Sequence, residues 1–308
     1  MNESLMREVW GRLVRGASLD GLGLPIVDGR VEIRGFSVPA PVVAGQANAP
    51  AGLGADVNRL GGIPELRHVR WSRLAFLGGS LAGLRIHGAR VENCVFSKTK
   101  CRDIRMWSTV VVDSVFQTVD LRGSALGGIE EGRRNRFERV VFDKADLRDT
   151  AYVSADFVSC RFANARLAKV DFQGCVFENT SFEGELEEVL FYKHAFQGES
   201  LPPNEMRGTD FRRAALRQVE FRELDLDDVK WPEDSRHLVL DDYVGALSRV
   251  LAGLQGREDS TARMLRSLVS MMLKWKGMSQ HRGVVSMSDL EEAAGEEGIR
   301  EFMRLAGV

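Results

Sequence analysis

The chain lacks the features that mark several large classes of protein. Only four cysteines occur in 308 residues, too few for the disulfide framework of a small secreted fold. The longest apolar runs, such as residues 268–273, are too short and interrupted to span a bilayer. The first ten residues do not have the basic-then-apolar layout of a secretion signal. We therefore expect a folded cytoplasmic protein with no membrane partner.

Motifs for catalysis and cofactor binding are also missing. The sequence has no GxxxxGK(S/T) phosphate loop, no HExxH, no GxSxG and no paired CxxC. The five histidines are scattered, and no third ligand accompanies His68 and His87, which are nineteen residues apart. The cysteines are better explained as small core residues than as ligands. We expect no enzyme activity, cofactor, metal site or small-molecule substrate.

No strong net charge points to a nucleic-acid partner. The formal charge is −2, which argues neither for nor against nucleic acid, and we expect no direct nucleic-acid binding. The charge is uneven along the chain, however. Residues 65–105 hold nine lysines and arginines against three acids, and residues 220–234 hold seven acids against two bases. This pattern predicts one basic and one acidic end if the intervening chain folds in order, although accidental clustering on a solvated surface also explains it.

What the chain does have is a large apolar residue at every fifth position, in blocks over residues 66–126, 137–182 and 191–231. Helices and strands repeat at about 3.6 and 2 residues, so a period of five requires a backbone that turns a corner every five residues. The central block consists of Phe137, Phe142, Leu147, Tyr152, Phe157, Phe162, Leu167, Phe172, Phe177 and Phe182.

The residues before each large apolar one complete a five-residue signature. The units KADLR, SADFV, KVDFQ, GTDFR and ELDLD end at Arg148, Val158, Gln173, Arg212 and Asp227. With these units, residues 64–232 resemble the pentapeptide-repeat family. The resemblance implies a mainly β fold, a right-handed quadrilateral β-helix of about eight coils with twenty residues per coil. Residues twenty apart should then stack, and the expected core ladders contain Phe137, Phe142, Phe157, Phe162, Phe172, Phe177 and Phe182.

Two shifts of phase interrupt the repeat. Leu126 and Phe137 are eleven residues apart, and Phe182 and Phe191 are nine apart, so we expect loops near 127–136 and 183–206. Loops on a regular scaffold are where recognition tends to reside, although tolerated insertions are an equal alternative. The candidate partner-binding residues are those of the first loop and of the acidic end: Glu130, Glu131, Arg133, Arg134, Glu220, Asp225, Asp227 and Asp228.

The flanking segments predict two caps. Residues 1–63 should form an amino-terminal cap, with a helix over 3–15, a hairpin around Asp28-Gly29 and a loop over 36–62. Residues 233–308 should form a helical module, with helices over 239–254, from Ser260, from 286–289 and over 298–305. The methionine-rich face of the second helix could line either a dimer interface or the module's own core. We expect a homodimer through these helices.

Two functions are compatible with these observations. The first is a protein-interaction scaffold, in which the loops or the helical module engage a protein partner. The second follows from the resemblance, since one group of pentapeptide-repeat proteins binds DNA gyrase as a DNA mimic and protects it from quinolones. The basic stretch at residues 65–105 and the long helical module depart from that group. The scaffold is therefore our leading hypothesis, with the gyrase-binding DNA mimic as the alternative.

Overall fold

A computed structural model describes residues 2–38, 64–194, 202–274 and 280–308. In chain order the described elements are α1 (Glu3–Val14), β1 (Ile26–Val27), β2 (Arg30–Arg34), β3 (Glu65–Arg67), β4 (Arg70–Ser72), β5 (Leu74–Leu77), β6 (Arg85–His87), β7 (Arg90–Glu92), β8 (Val95–Ser97), β9 (Arg105–Trp107), β10 (Val110–Val112), β11 (Val115–Gln117), β12 (Ile129–Glu130), β13 (Arg133–Arg134), β14 (Arg136–Glu138), β15 (Val141–Asp143), β16 (Asp156–Val158), β17 (Arg161–Ala163), β18 (Leu167–Ala168), β19 (Asp171–Gln173), β20 (Val176–Glu178), β21 (Ser181–Glu187), β22 (Leu190–Tyr192), β23 (Asp210–Arg217), β24 (Glu220–Arg222), β25 (His237–Leu240), α2 (Tyr243–Gly253), α3 (Ser260–Lys274), β26 (Gly283–Ser286) and α4 (Met287–Ala306).

The middle of the chain is a solenoid of short parallel strands. Each strand pairs with a strand one coil earlier and one coil later, as in the order β4-β7-β10-β14-β16-β20. In the regular coils the partners are twenty residues apart, so Phe142 lies beside Phe162, and Phe162 beside Phe182. Parallel crossovers of this kind are right-handed. The predicted right-handed quadrilateral β-helix is confirmed.

Aromatic rings stack along the inside of the solenoid at the spacing of its strands. The ring centroids of Phe142, Phe162 and Phe182 are 4.8 and 4.7 Å apart, close to the interstrand spacing of about 4.8 Å. Phe137, Phe157 and Phe177 form a second stack, with separations of 5.0 and 5.1 Å. Phe172 continues a third stack between Tyr152 and Phe191.

The corners between faces are made by residues in the left-handed region of backbone conformation. Ser159 and Asn164 have φ values of 53° and 50°, and each lies two residues after a large apolar residue. This conformation costs a non-glycine residue roughly 1–2 kcal/mol. The backbone N–H of Ser159 donates to the carbonyl of Glu178 at 2.8 Å, and that of Asn164 to the carbonyl of Glu183 at 3.0 Å. Hydrogen bonds to the next coil therefore offset the strain of each corner.

Small polar residues connect neighbouring coils from the inside. The Ser124 hydroxyl accepts a hydrogen bond from the N–H of Ile104 and donates one to the carbonyl of Cys101, both at 3.1 Å. Ser114 and Thr180 accept from the preceding coil in the same way. Because both backbone groups are buried, these hydroxyls satisfy polar atoms that would otherwise lack partners.

The first shift of phase is a β-hairpin within a coil that has six extra residues. Val111 pairs with Phe137, 26 residues later instead of twenty. The extra chain forms the antiparallel pair β12–β13, in which Glu130 lies opposite Arg133. The solenoid then resumes at β14 in its earlier register.

The second interruption differs from the expected loop over 183–206. Residues 183–187 belong to the continuous strand β21, and the missing residue only shortens a coil, since Phe172 pairs with Phe191 nineteen residues later. Gly184 lies within this strand at φ 94°, a conformation that glycine adopts without strain. The insertion comes after β22, where Phe191 pairs with Phe221, thirty residues later. The repeat positions at 196 and 201, which lie in this insertion, fall outside the described residues.

An amino-terminal cap covers the first coil. The Asn2 side chain accepts a hydrogen bond from the N–H of Leu5 and begins helix α1. Strands β1 and β2 form an antiparallel hairpin, and β2 pairs with β5 of the first coil. The indole N–H of Trp71 donates to the carbonyl of Leu13 at 3.0 Å. The cap thus occupies an edge that would otherwise be open to another chain.

The carboxyl-terminal module has its own core and begins with a strand. Residues 239–240, predicted as the start of a helix, belong instead to β25, which pairs with β26, and α2 begins at Tyr243. The two helices expected after 286 are the two parts of α4, which are separated at Gly295, where the backbone is not helical (φ 64°). The module core contains Leu247, Leu265, Val269, Leu290 and Phe302. Among the described residues, no helix is long and apolar enough to span a membrane.

Candidate functional site

The hairpin β12–β13 presents charged side chains at its tip. The side chains of Glu131 and Arg133 are 70% and 63% exposed and form an ion pair at 2.8 Å. Glu131 adopts a φ of 52° at the turn. Both residues were predicted as partner-binding residues, and the structure places them side by side at the turn of the hairpin.

A cluster of polar and aromatic groups holds this hairpin against the solenoid beside its turn. The Nδ1 atom of His87 lies 3.0 Å from Oε1 of Glu130, and its Nε2 atom lies 3.4 Å from Oε1 of Glu65. The imidazole stacks on Trp107 with a centroid separation of 4.4 Å. Glu130, a predicted partner-binding residue, therefore holds the hairpin against the solenoid. His87 has a structural partner on each side.

Arg134 is a structural residue rather than a surface contact. Its side chain is only 7% exposed and lies 3.0 Å from the Asp156 carboxylate. It also donates to the carbonyl of Pro202 at 2.8 Å. Arg134 thus joins the hairpin to the second insertion. The expectation that it meets a partner does not fit its burial.

Both insertions end on a buried asparagine, which the sequence analysis did not single out. Asn135 accepts from the N–H of Thr109 at 2.7 Å and donates to the carbonyls of Met106 and Leu126 at 2.8 and 2.9 Å. Asn204 accepts from the N–H of Phe177 at 3.2 Å. Each asparagine lies two residues before a large apolar residue, where the repeat usually has a smaller side chain. An asparagine at this position of the repeat was therefore the feature of the sequence that could have indicated where each insertion ends.

The four predicted acidic residues lie on the last coil, with different surroundings. Glu220 forms an ion pair with Arg222 at 2.6 Å. Asp228 accepts a hydrogen bond from the N–H of Gly208 at 2.7 Å. Asp225 accepts from the N–H of Asp227 at 3.1 Å. Glu220, Asp225, Asp227 and Asp228 are all exposed, but the structure does not bring them near the hairpin tip as one site.

Carboxylates on the flanks of the solenoid are largely neutralised by arginines. Arg122 bonds Asp120 at 2.8 Å, and Arg212 bonds Asp210 at 2.7 Å. These hydrogen bonds hold the pKa of Asp120 and that of Asp210 below the ordinary value. Similar pairs join arginine to acid at Asp113–Arg139, Asp146–Arg148 and Arg161–Glu183. The flank is a lattice of ion pairs rather than an acidic stripe.

The cysteines do not form a reactive site. All four are free and buried, and burial raises the pKa of Cys94 to about 11 and that of Cys160 to about 12. The Cys160 thiol donates to the carbonyl of Phe137 at 3.3 Å. Such thiols remain protonated and unreactive near neutral pH. Within the described ranges, no three His, Cys, Asp or Glu side chains are arranged to hold a metal ion.

A cleft of about 760 Å³ separates the last two coils from the helical module. One wall comes from β22, β24 and the corner before β24; the other comes from α3, β26 and the first turns of α4. Apolar residues line most of it, among them Leu190, Leu216, Val219, Leu268, Met271 and Met272. Carboxylates of Glu188, Glu220, Asp289 and Glu292 also line it. We call this feature the module cleft.

Two module side chains bond the last coil beside the module cleft. The backbone N–H of Leu216 donates to Nε2 of His237 at 3.0 Å, and that of Gln218 to Oδ2 of Asp289 at 2.9 Å. In the preceding coil the equivalent N–H of Glu188 donates to the carbonyl of Arg217. His237 and Asp289 therefore supply the hydrogen-bond acceptors that the carbonyls of a next coil would supply to the last coil. This contact was not predicted from the sequence.

Comparison with known proteins identifies the family of the repeats. Residues 154–184 match the family model for pentapeptide repeats, in eight copies, whereas no match was found among curated proteins. Among solved structures, trypsin-treated QnrB1, a plasmid-mediated fluoroquinolone resistance protein, is 16% identical; the alignment covers 53% of this chain and 79% of that chain, with a TM-score of 0.28.

Two cyanobacterial structures are also similar to this chain. HetL, a pentapeptide repeat protein of Nostoc sp. involved in heterocyst differentiation regulation, is 16% identical, with 55% of this chain and 85% of that chain covered and a TM-score of 0.19. Rfr23 of Cyanothece is 11% identical, with coverages of 54% and 90% and a TM-score of 0.22.

Proposed function

Because the chain carries a pentapeptide-repeat solenoid, we propose that it is a non-enzymatic protein-interaction scaffold of the bacterial cytoplasm. The observation that carries this proposal is the hairpin β12–β13, in which the side chains of Glu131 and Arg133 are exposed while His87 holds Glu130 and Asn135 fixes the end of the hairpin. A rigidly held loop on a solenoid presents a defined surface to a protein partner. The four free cysteines agree with a reducing compartment.

Site-specific cross-linking in the full-length protein tests this proposal. A photoreactive amino acid placed at Glu131 should yield a covalent complex with a partner protein upon irradiation in the native host. The same amino acid at Lys169, an exposed corner on a regular face of the solenoid, serves as the matched control. Equal cross-linking at both positions, or none at Glu131, would remove the hairpin as the interaction surface.

The alternative function is a DNA-mimicking inhibitor or protector of DNA gyrase. The exposed carboxylates of Asp225, Asp227 and Asp228 on the last coil favour it, whereas the arginine–carboxylate pairs along the flank disfavour it. A gyrase supercoiling assay, with and without a quinolone, separates the two functions. We expect neither inhibition nor protection by the purified protein. Protection from the quinolone would replace the scaffold function with the alternative.

We further propose that the protein forms a homodimer through its carboxyl-terminal helices. Met264 on α3 lies outside the module cleft and is 54% exposed, and exposed apolar groups favour association. Multi-angle light scattering should give about twice the chain mass of 34.3 kDa. A mass equal to that of one chain would refute the dimer without affecting the scaffold proposal.

A further inference from the structure

We propose that the module cleft binds a basic amphipathic helix of a partner protein. The apolar face of that helix enters the cleft, and its lysines or arginines meet the carboxylates that line the cleft. This inference rests on the proposed scaffold function, for which it names a second binding surface and the chemistry of the partner.

The size and lining of the module cleft suit one face of a helix. Its volume of about 760 Å³ lies within the roughly 300–1,000 Å³ range of protein binding pockets. Most of the lining is aliphatic, from both the solenoid wall and the helical wall. Apolar anchors at positions i, i+3, i+4 and i+7 of a helix span about 10 Å, since each residue rises about 1.5 Å.

Methionines make the helical wall of the cleft adaptable. Met271 and Met272 on α3 line the cleft, and Met271 is 54% exposed. Unbranched, polarisable methionine side chains repack around different apolar partners and are common at helix-binding surfaces. The exposed Met271 side chain would be removed from water by an occupant of the cleft.

The charge around the module cleft selects a cationic partner. Four carboxylates line it, from Glu188, Glu220, Asp289 and Glu292, and the one lining arginine, Arg222, is paired with Glu220. Three acidic groups thus remain in excess of the lining bases. A basic helix complements this field, whereas a second copy of the same face would bring like charges together.

The surroundings of the Asp289 carboxylate indicate independently that the partner is cationic. One carboxylate oxygen, Oδ2, accepts from Gln218, but Oδ1 is buried and has no hydrogen-bond partner among the described residues. A buried acceptor without a partner is costly, and the cost is greatest for a charged group. A lysine or arginine nearby would stabilise the carboxylate charge. Burial and the nearby Glu292 carboxylate raise the pKa of Asp289 above the ordinary value, and the charge of Arg217 only partly opposes this shift.

Fluorescence anisotropy with designed peptides tests the proposal in the full-length protein. The probe is a labelled helix of about 18 residues with leucines on one face and lysines elsewhere. We expect this peptide to bind with a Kd in the micromolar range. A peptide with glutamate in place of lysine, and one with the same composition in scrambled order, should bind at least about tenfold more weakly.

Two matched variants locate the binding site. Met271→Lys places a positive charge in the cleft and should weaken binding of the basic peptide at least about tenfold. Ile26→Lys places the same charge at an exposed apolar residue of the amino-terminal cap, outside the cleft lining, and should leave the affinity unchanged. Circular dichroism checks that both variants are folded.

Three results would overturn the proposal. The first is an equal loss of affinity in the two variants, and the second is binding of the glutamate peptide as tight as that of the lysine peptide. The third is no binding of the lysine peptide at about 100 µM, which corresponds to a binding free energy weaker than about −5.5 kcal/mol. Cross-linking at Glu131 reports on the scaffold function independently. If that cross-link persists while the peptides fail to bind, the cleft assignment alone is wrong.

Discussion

Gly78 and Gly79 show how far the fold depends on the backbone conformation of single residues. Both have left-handed conformations, with φ values of 73° and 78°. A Cβ atom at Gly78 would meet nothing within 4 Å, whereas one at Gly79 would lie 1.8 Å from the carbonyl oxygen of Phe36 in the amino-terminal cap. The second glycine therefore allows the cap to approach the first coil.

Alanine at these two positions should separate backbone strain from steric exclusion. Gly78→Ala should lower the free energy of unfolding by about 1–2 kcal/mol, the cost of a left-handed alanine. Gly79→Ala should cost several kcal/mol more, because Phe36 must move. Chemical denaturation of the two variants measures the difference. Equal destabilisation would show that the cap is not held at Phe36.

The surroundings of Asp234 predict an acid-sensitive contact at the start of the carboxyl-terminal module. Burial opposes ionisation of this carboxyl, but hydrogen bonds from Arg236 and His237 outweigh it and lower its pKa to about 2. The contribution of Asp234 to stability is therefore present above the ordinary pKa of 3.8 and should be lost as the pH falls towards 2.

The Asp234→Asn variant isolates this contribution. The difference in free energy of unfolding between the wild type and the variant should shrink as the pH is lowered from 5 through about 4 to about 2. Chemical denaturation at several pH values gives that difference directly. A difference that does not change over this interval would contradict the assigned pKa.

At the scale of elements, the two insertions use the same device to return to the solenoid. A buried asparagine, Asn135 or Asn204, bonds backbone groups of the preceding coil where a coil of normal length would place a smaller side chain. The hairpin is thus joined to the core by side-chain hydrogen bonds at its base, which leaves its tip free to carry charge.

Removal of the Asn135 amide should weaken the base of the hairpin. Asn135→Ala leaves one buried N–H and two buried carbonyls without their partner, so we expect a loss of about 3 kcal/mol or more in free energy of unfolding. Arg133→Ala at the exposed tip of the same hairpin should change it by less than about 0.5 kcal/mol. Thermal and chemical denaturation provide the measurement, and comparable losses in the two variants would contradict the role of Asn135.

The sequence alone predicted the solenoid because its signal is repeated about thirty times, so single departures do not obscure the period. Phe142, Phe162 and Phe182 could be placed in one stack by counting. The path of the chain at each interruption could not be found by counting residues. One missing residue shortens the coil that contains strand β21, and the extra residues come only after β22.

The module cleft could not be predicted because its walls lie far apart in sequence. Leu190 and Leu216 come from the solenoid, whereas Met271 and Asp289 come from the module, and periodicity carries no information about such contacts. Arg134 was misjudged for a related reason. A charged residue in a predicted loop is expected to be exposed to solvent. Arg134 is buried because it contacts Asp156 and Pro202, which are distant in sequence.

At the scale of the whole molecule, each coil contacts mainly its neighbours, so stability should fall towards the ends of the stack. The N–H groups of Asp156 and Arg161 donate to carbonyls of the preceding coil in the middle of the solenoid, whereas those of Arg85 and Glu220 do so near its ends.

Native-state hydrogen exchange should report this gradient. The amides of Asp156 and Arg161 should exchange at least about tenfold more slowly than those of Arg85 and Glu220, because opening must spread from the ends to reach them. Mass spectrometry or NMR at single-residue resolution checks this. Uniform protection along the solenoid would indicate that all coils and both caps unfold in one cooperative step.

The stacking of coils also determines how the protein would respond to tension. The amino-terminal cap bonds the first coil through Trp71, and the module bonds the last through Leu216, so the caps lie at opposite ends of the stack. A force applied between them acts along the interstrand hydrogen bonds and separates coils one at a time. Each released coil of about twenty residues would lengthen from about 4.8 Å to roughly 65–70 Å. The solenoid would therefore act as a stepwise extensible tether between whatever its two ends hold.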